Sequence, residues 1–151
     1  MSSMTSRSTD HALFYPFHLC SPDTLEHLLH SFNVGNRYSI RLNLDGALSE
    51  TKLSKKVHLN FYRILQEHLN NISQYAQATN ITIKVWLSDN IIHFQVEDNG
   101  IGFDQQVNGS GIGLANMQRR VDLLGGTLRL YTSPGDGCTL LIRVPANEWN
   151  Q

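Results

Sequence analysis

The sequence predicts an α+β protein, a two-layer sandwich in which three helices cover one face of a mixed five-stranded sheet. Two patterns predict it. Apolar residues recur at helical spacing in three segments, and they alternate with polar residues in five others. Four of those five segments form two pairs separated only by turn sequences, which indicates hairpins. A doubly wound sheet would place helices regularly between its strands, so the two hairpins argue against that fold.

The three helical segments each have a recognisable start or end. Ser21, followed by proline and aspartate, is a good start for a helix over 22–32. The longest pattern begins at Ser54 and continues to about residue 78, with one broad apolar stripe. The third helix is expected over 112–124, where a pair of glycines closes it.

The five strand-like segments differ in what separates them. They cover residues 38–44, 81–87, 91–98, 127–132 and 138–144. The turn sequence "SDN" joins the second segment to the third, and "SPGDG" joins the fourth to the fifth. Both sequences are typical of hairpin turns, so each pair is predicted to be antiparallel.

Length and charge limit the classes of partner. A chain of 151 residues is one domain, and it can bury a core without a disulfide or metal. Its 12 basic and 13 acidic side chains give a net charge of −1, which offers no electrostatic reason for a nucleic-acid or anionic-membrane partner. No apolar run approaches the roughly 20 residues that span a bilayer. We therefore expect no nucleic-acid partner, no direct membrane contact and a cytoplasmic location.

The cysteines and the chain ends carry further expectations. Cys20 and Cys138 lie far apart without any CxxC pair, which argues against a zinc site or a disulfide framework and fits a reducing cytosol. The polar start lacks the apolar region of a signal peptide. We expect residues 1–12 to be a disordered lead-in or cloning remnant, residues 13–147 to be the domain, and residues 148–151 to be a tail.

A polar stripe on the long helix is the first candidate for chemistry. Glu67, Asn71 and Gln74 are spaced four and three residues apart, so they project from one side of the helix. Asparagine is a poor residue for a helix interior, because its amide competes with the backbone for hydrogen bonds. Two consecutive asparagines, Asn70 and Asn71, therefore need a reason. A solvated helix face with tolerated polar residues remains the alternative.

The glycine-rich stretch is the second candidate. Asp98 ends a strand and is followed at once by "NGIG", where a carboxylate beside flexible backbone can accept a hydrogen bond from an exocyclic amine. An ordinary turn explains "DNG" equally well. Gly109, Gly111 and Gly113 lead into a helix, whose N-terminal N–H groups and dipole suit a phosphate. Neither glycine set fits the Rossmann fingerprint or the P-loop.

Taken together and in this order, these segments resemble the ATP-binding catalytic domain of sensor histidine kinases. Residues 62–76 are similar to the family's asparagine box, 97–104 to its first glycine box, 109–126 to its second, and 133–145 to its closing hairpin. The resemblance covers about 16–145 and implies the Bergerat ATP-binding fold, shared with gyrase, heat-shock chaperone and mismatch-repair ATPases. The short span between the glycine boxes resembles the nitrate-sensor and membrane-thermosensor branch, in which the ATP lid is abbreviated.

The resemblance implies ATP and Mg²⁺ as cofactors and gives the polar stripe its roles. Asn71 would ligate Mg²⁺ through its side-chain oxygen, and Glu67 would orient a water on that metal or polarise the site. Gln74 stands where the family often has a lysine. A cation there is worth at most roughly 4 kcal/mol at about 4 Å from a phosphate charge, so its loss weakens binding unless Arg119 or Arg120 compensates.

The resemblance also implies a set of nucleotide contacts. Asp98 would read the adenine amine, Tyr75 would stack on the ring unless it is a core aromatic, and Thr139 would support the Asp98 pocket. The remaining contacts would come from backbone near the base and at the phosphates: Gly100 and Gly102, then Gly111, Gly113 and Leu114. Cys138 replaces a serine or threonine that the family often carries, with little expected consequence.

The phosphoacceptor of such a kinase is missing from this sequence. None of the seven histidines is followed by aspartate or glutamate, and no helical hairpin precedes the domain. The implied function is therefore to bind Mg-ATP and to donate its γ-phosphate to a histidine on a separate dimerisation and histidine-phosphotransfer domain of the same kinase. A response regulator would be reached only indirectly. Whether the chain is an excised or a stand-alone ATP-binding half stays open.

Two other functions remain compatible with the sequence. A stand-alone serine kinase that doubles as an anti-sigma factor has the same fold and would phosphorylate an antagonist protein. A degenerate nucleotide-binding or interaction module is motivated by Gln74. The clamp-type ATPases need a further transducer domain, for which 151 residues leave no room.

Overall fold

The computed structural model describes residues 24–45, 48, 53–102 and 113–146 of the chain. Within them lie three α-helices and five strands: α1 Leu25–Phe32, α2 Lys55–Asn71, α3 Leu114–Leu123, β1 Ser39–Leu44, β2 Asn80–Ser88, β3 Ile91–Asp98, β4 Thr127–Thr132 and β5 Cys138–Pro145. The strand order is β1-β2-β3-β5-β4, with β1 parallel to β2 and every other pair antiparallel. The predicted α+β fold with a mixed five-stranded sheet is confirmed.

The first helix begins later than predicted. Its N-cap is Thr24, whose side chain accepts a hydrogen bond from the backbone N–H of His27 at 3.0 Å. The expected start at Ser21 lies outside the described residues. The second helix begins as predicted, because the Ser54 hydroxyl accepts from the N–H of Val57 at 3.1 Å.

The end of the second helix differs from the prediction of one regular helix to about residue 78. The α-helix stops at Asn71, and a π-helical turn, Ile72–Ala76, continues the chain. Gln77 then ends the turn in the left-handed conformation, with φ 53°. A π-helical turn has wider spacing than an α-helix and is frequent at functional sites. Gln74 and Tyr75 therefore lie on this turn and not on a regular helix.

Both predicted hairpins are present. Asp89 and Asn90 have φ of 54° and 62° between β2 and β3, the type I′ geometry that matches the twist of a hairpin. Gly135 and Gly137, with φ of 87° and 69°, form the turn between β4 and β5. Glycine adopts such values without strain, which explains the "SPGDG" sequence.

The core lies between the helices and one face of the sheet. Alternation along the strands directs one side of each toward the helices. Phe61 of α2 and Phe94 of β3 stack there with ring centroids 4.7 Å apart, and both are fully buried. On the opposite face Trp86 stacks with His93 at 4.8 Å, and that face stays half-buried or exposed. Across the described ranges, no helix has both the length and the apolar character needed to cross a bilayer.

Candidate functional site

The asparagine-box helix and the second glycine box meet at Glu67. Gly113 is the N-cap of α3 and has φ 75°. A Cβ added at Gly113 would collide with the Glu67 carboxylate, so the two groups are already in contact. The half-buried Glu67 side chain therefore lies beside the positive end of the α3 dipole.

The first glycine box meets the same end of α2. The N–H of Ile101 donates to the Ala76 carbonyl at 2.8 Å. The side-chain oxygen of Asn99 accepts from the N–H groups of Thr79 and Asn80, both at 2.9 Å. The first bond ties the turn after β3 to the π-helical turn, and the other two tie it to the start of β2. Three segments that are distant in sequence thus come together at one end of α2.

The glycines of this turn are required by packing within the chain. A Cβ at Gly100 would collide with the Ala76 carbonyl. A Cβ at Gly102, which has φ 68°, would collide with the carbonyl of Ser133 at the β4–β5 hairpin. Close approach of backbone to backbone is therefore reason enough for both glycines. The predicted approach to a purine base stays a prediction.

Asp98 ends β3 as a buried carboxylate, 5 % exposed, with one oxygen bonded and one not. Oδ1 accepts from the Gly100 N–H at 2.7 Å, whereas the buried Oδ2 has no hydrogen-bond partner within the described residues. Burial raises the pKa of Asp98, and the charge of Glu97 adds to it, while the Gly100 N–H opposes the rise. Buried acceptors are rarely left unsatisfied, so Oδ2 is the atom of this carboxylate that is available to a further donor.

His68 is a buried group to which the sequence motifs assign no role in the site. It is 3 % exposed, and neither ring nitrogen has a hydrogen-bond partner in the described part of the chain. Burial lowers its pKa to about 4, so the imidazole is neutral at pH 7. The signal was available in the sequence. His68 lies four residues after Ile64 and four before Ile72, within the apolar stripe.

Cys138, and not Thr139, lies opposite Asp98. The register pairs Asp98 with Cys138 and Glu97 with Thr139. Successive strand residues point to opposite faces, so the Thr139 side chain lies on the far side of the sheet from Asp98. The predicted support of the Asp98 pocket by Thr139 therefore does not fit this register. Burial, together with the Asp98 charge, raises the pKa of the Cys138 thiol to about 12, against an opposing hydrogen bond with the side chain of Thr132.

The other predicted site residues lie around this end of α2. Asn71 and Leu114 are half-buried, and Gln74 is exposed. Tyr75 is 53 % exposed, so it is not a core aromatic. Gly111 lies outside the described residues.

A cleft of about 500 Å³ lies between α2 and α3. Its lining includes three arginines: Arg63, Arg119 and Arg120. Arg120 donates to the side-chain oxygen of Asn60 at 3.3 Å. Asn60 lies seven residues before Glu67, which places it about 10 Å closer to the N-terminal end of α2. This contact directs Arg120 toward the N-terminal half of α2, whereas Gln74 lies on the π-helical turn beyond its C-terminal end. It gives no support to compensation by Arg120 for the missing lysine.

A helix-covered mixed sheet of this kind is also present in solved histidine kinases. The structure matches a blue-light activated histidine kinase of Erythrobacter litoralis EL346 with a TM-score of 0.67 and 19 % identity, over 83 % of this chain and 42 % of that one. It matches the histidine kinase AdeS of Acinetobacter baumannii with a TM-score of 0.63 and 18 % identity, over 82 % of this chain and 63 % of that one. At these identities the likeness concerns the fold.

The sequence comparison gives the family. Residues 56–148 match the histidine kinase-, DNA gyrase B- and HSP90-like ATPases, and the chain belongs to that family. It is 37 % identical over 93 residues to the histidine-protein kinase/phosphatase UhpB of Salmonella typhimurium, and 39 % identical over 103 residues to the sensor histidine kinase ComP of Bacillus subtilis. These matches cover 62 % and 66 % of this chain, but only 19 % and 13 % of the relatives. The resemblance to the ATP-binding domain of sensor histidine kinases is confirmed.

Proposed function

We propose that this chain binds Mg-ATP as the catalytic domain of a sensor histidine kinase and presents the γ-phosphate to a histidine on a separate domain. The observation that carries the proposal is the buried Oδ2 of Asp98, which has no hydrogen-bond partner among the described residues and lies where three motif segments converge. An adenine exocyclic amine is a donor of the kind this oxygen lacks.

The adenine end of the site would be formed by Asp98 and Tyr75. Asp98 would accept a hydrogen bond from the amine through Oδ2, because Oδ1 already accepts one from the N–H of Gly100. Tyr75 is exposed on the π-helical turn, so its ring is available to cover a purine face. Gly100 and Gly102 would keep the backbone close to the base.

The metal end would be formed on α2. Asn71 would hold Mg²⁺ through its side-chain oxygen, the ligand type that this ion prefers. Glu67 would hold a water of that metal by accepting its proton in a hydrogen bond. Magnesium supplies charge stabilisation for phosphoryl transfer, and these residues position it. Gln74 would contact the nucleotide as a neutral side chain.

The phosphate end would be formed at the N-terminus of α3. Gly113 caps this helix without a side chain, and Leu114 is its first residue. N–H groups and the helix dipole at such a terminus attract phosphate. Gly111, by its place in the second glycine box, would contribute to the same cradle.

The proposed partners and location are supported by the likeness to sensor kinases. The chain spans less than a fifth of the two curated relatives named above, which are longer sensor kinases. We propose a dimerisation and histidine-phosphotransfer domain as the direct partner, a response regulator as an indirect one, and a cytoplasmic position. The short span of sequence between the two glycine boxes supports a place in the nitrate-sensor-like branch.

Calorimetric titration of Mg-ADP into the purified chain and two matched variants tests the proposal. Asp98→Asn should weaken binding by roughly 10- to 100-fold, because it removes a charged acceptor from a buried hydrogen bond worth about 1.5–3 kcal/mol. Glu97→Gln makes the same chemical change on an exposed neighbouring side chain and should stay within about twofold. Equal affinities of the two variants would contradict the proposal.

A further inference from the structure

Three metal-ligating side chains meet beneath the candidate nucleotide site. His68 of α2, Asp98 of β3 and Cys138 of β5, here called the inner triad, are all buried, and each offers a ligand atom within 4.8 Å of the others. The ligand atoms of a tetrahedral zinc ion lie roughly 3.5 Å apart. Side-chain movements of about 1 Å would therefore bring the triad to coordination distance.

The hydrogen-bonding state of the triad leaves polar atoms available to a metal ion. Both nitrogens of His68 and Oδ2 of Asp98 are buried without a partner among the described residues. Protein interiors rarely tolerate three unsatisfied polar atoms in one place, since each costs about 1–3 kcal/mol. A single metal ion would satisfy a nitrogen and the oxygen together.

We propose that the inner triad binds a Zn²⁺-like transition-metal ion through His68, Asp98 and Cys138, leaving a fourth coordination position open. Nitrogen, oxygen and sulfur donors together favour zinc, whereas Mg²⁺ and Ca²⁺ take oxygen ligands. The charges also balance. The imidazole is neutral, and binding displaces the thiol proton to solvent, so thiolate and carboxylate together neutralise the 2+ ion. An uncharged cluster suits a buried position.

The cysteine spacing of the sequence gave no sign of this site. Zinc motifs are recognised when one short segment carries two ligands, as in CxxC. Here each ligand comes from a different element, and only the packing of α2 on β3 and β5 brings the three together. The absence of a CxxC pair therefore does not exclude a zinc site whose ligands come from three separate elements.

A regulatory consequence rests on the proposed function. Because Oδ1 of Asp98 already accepts from Gly100, a metal ion and the adenine amine would both draw on Oδ2, and an ion held there would obstruct the approach of the amine. The metal would therefore compete with ATP. At about ten times its dissociation constant, the metal should weaken nucleotide binding by roughly tenfold.

Cobalt spectroscopy of the full chain tests metal binding without any nucleotide. A Cys20→Ser background removes the other cysteine of the sequence. Co²⁺ should then give a thiolate charge-transfer band and tetrahedral visible bands, and one equivalent of Zn²⁺ should abolish both. Cys138→Ser should lose the charge-transfer band, and both it and His68→Leu should bind Co²⁺ at least about tenfold more weakly. His93→Gln changes a histidine on the opposite sheet face and should keep the spectrum.

Two results would overturn the metal site: absence of the band in the Cys20→Ser protein, or its survival in Cys138→Ser. The competition is tested separately with Mg-ADP and Mg-GDP, which chelate metal alike but differ in the base. Mg-ADP should reduce the band and Mg-GDP should not. Equal effects of the two would overturn the competition. A protein that gives the band yet binds no ADP would contradict the proposed function alone.

Discussion

Two buried polar residues of the same helix, Asn60 and His68, differ in how completely they are hydrogen-bonded. Asn60 donates to the Lys56 carbonyl at 2.8 Å and accepts from Arg120 at 3.3 Å. His68, about two turns farther along and equally buried, finds no partner in the described residues. One end of α2 thus uses its polar group to hold α3 in place. The other end keeps an unsatisfied group at a cost in stability, as binding sites commonly do.

The largest effect that separates the two residues is the pH dependence of stability. His68 has a pKa of about 4 in the folded protein, against 6.5 in an unfolded chain. As the pH falls from 6.5 to 4, the unfolded state binds the proton first, so the folded state loses up to about 3 kcal/mol. Urea unfolding of the wild type and His68→Leu, in the presence of a chelator, should show this loss only in the wild type.

Asp98 also contributes to the pH dependence of stability, so the pH slope of the wild type must be compared with that of the variant. Its pKa is raised in the folded state, so above pH 3.8 the folded state binds the proton first, and acidification stabilises it through this group. Both proteins carry Asp98, so the comparison isolates the difference that His68 makes. Asn60→Ala should retain the wild-type pH slope. Equal slopes for wild type and His68→Leu would show that His68 is not buried as described.

The second effect concerns the satisfied end of the helix. Asn60→Ala should reduce the free energy of unfolding by about 1–2 kcal/mol, because it removes two hydrogen bonds and leaves Arg120 without that partner. The loss should be the same at pH 7.5 and at pH 5. Mg-ADP affinity should stay within about twofold, and a larger change would mean that Asn60 and Arg120 belong to the site.

Much of this architecture follows from the sequence, because periodicity reports local structure. The alternation of β3 and the turns "SDN" and "SPGDG" predict both hairpins, and Ser54 marks the start of α2. The end of α2 does not follow from periodicity. A π-helical turn depends on contacts such as that of Ala76 with Ile101, which are distant in sequence.

The candidate site also divides into residues that local sequence motifs indicate and residues that only contacts distant in sequence bring together. Asp98 and Gly113 are recognisable because their motifs are local. The pairing of Asp98 with Cys138 depends on the register between β3 and β5. A shift of that register by one residue would place Thr139 opposite Asp98 instead. The place of His68 in the apolar stripe indicates that it is buried, but its proximity to Asp98 and Cys138 depends on how α2 packs on the sheet. Sequence motifs therefore indicate Asp98 and Gly113, whereas the grouping of Asp98 with His68 and Cys138 is a product of tertiary packing.

The third effect has the opposite sign at the two ends of α2. At pH 7.5 with chelator, His68→Leu should stabilise the protein by about 1 kcal/mol, because it replaces unsatisfied polar atoms by apolar ones of similar size. Asn60→Ala destabilises it. Chemical unfolding of both variants in one buffer measures the contrast. A clear loss of stability in His68→Leu would mean that the imidazole has a partner, such as a buried water bridging it to Asp98.

The smallest effect tests the exposed side of the same helix end. Gln74 stands on the π-helical turn where the family often has a lysine. Gln74→Lys should tighten Mg-ATP binding by up to about fivefold, since an exposed cation contributes at most about 1 kcal/mol. Gln74→Met keeps the length without the charge and should give no gain. The gain should shrink as salt is added, because screening weakens exposed charges more than it weakens the buried contact at Asp98. Unchanged affinity in Gln74→Lys would mean that another cation already serves the phosphates, and Arg119, which donates to Asn116 at 3.4 Å, would be the next residue to replace.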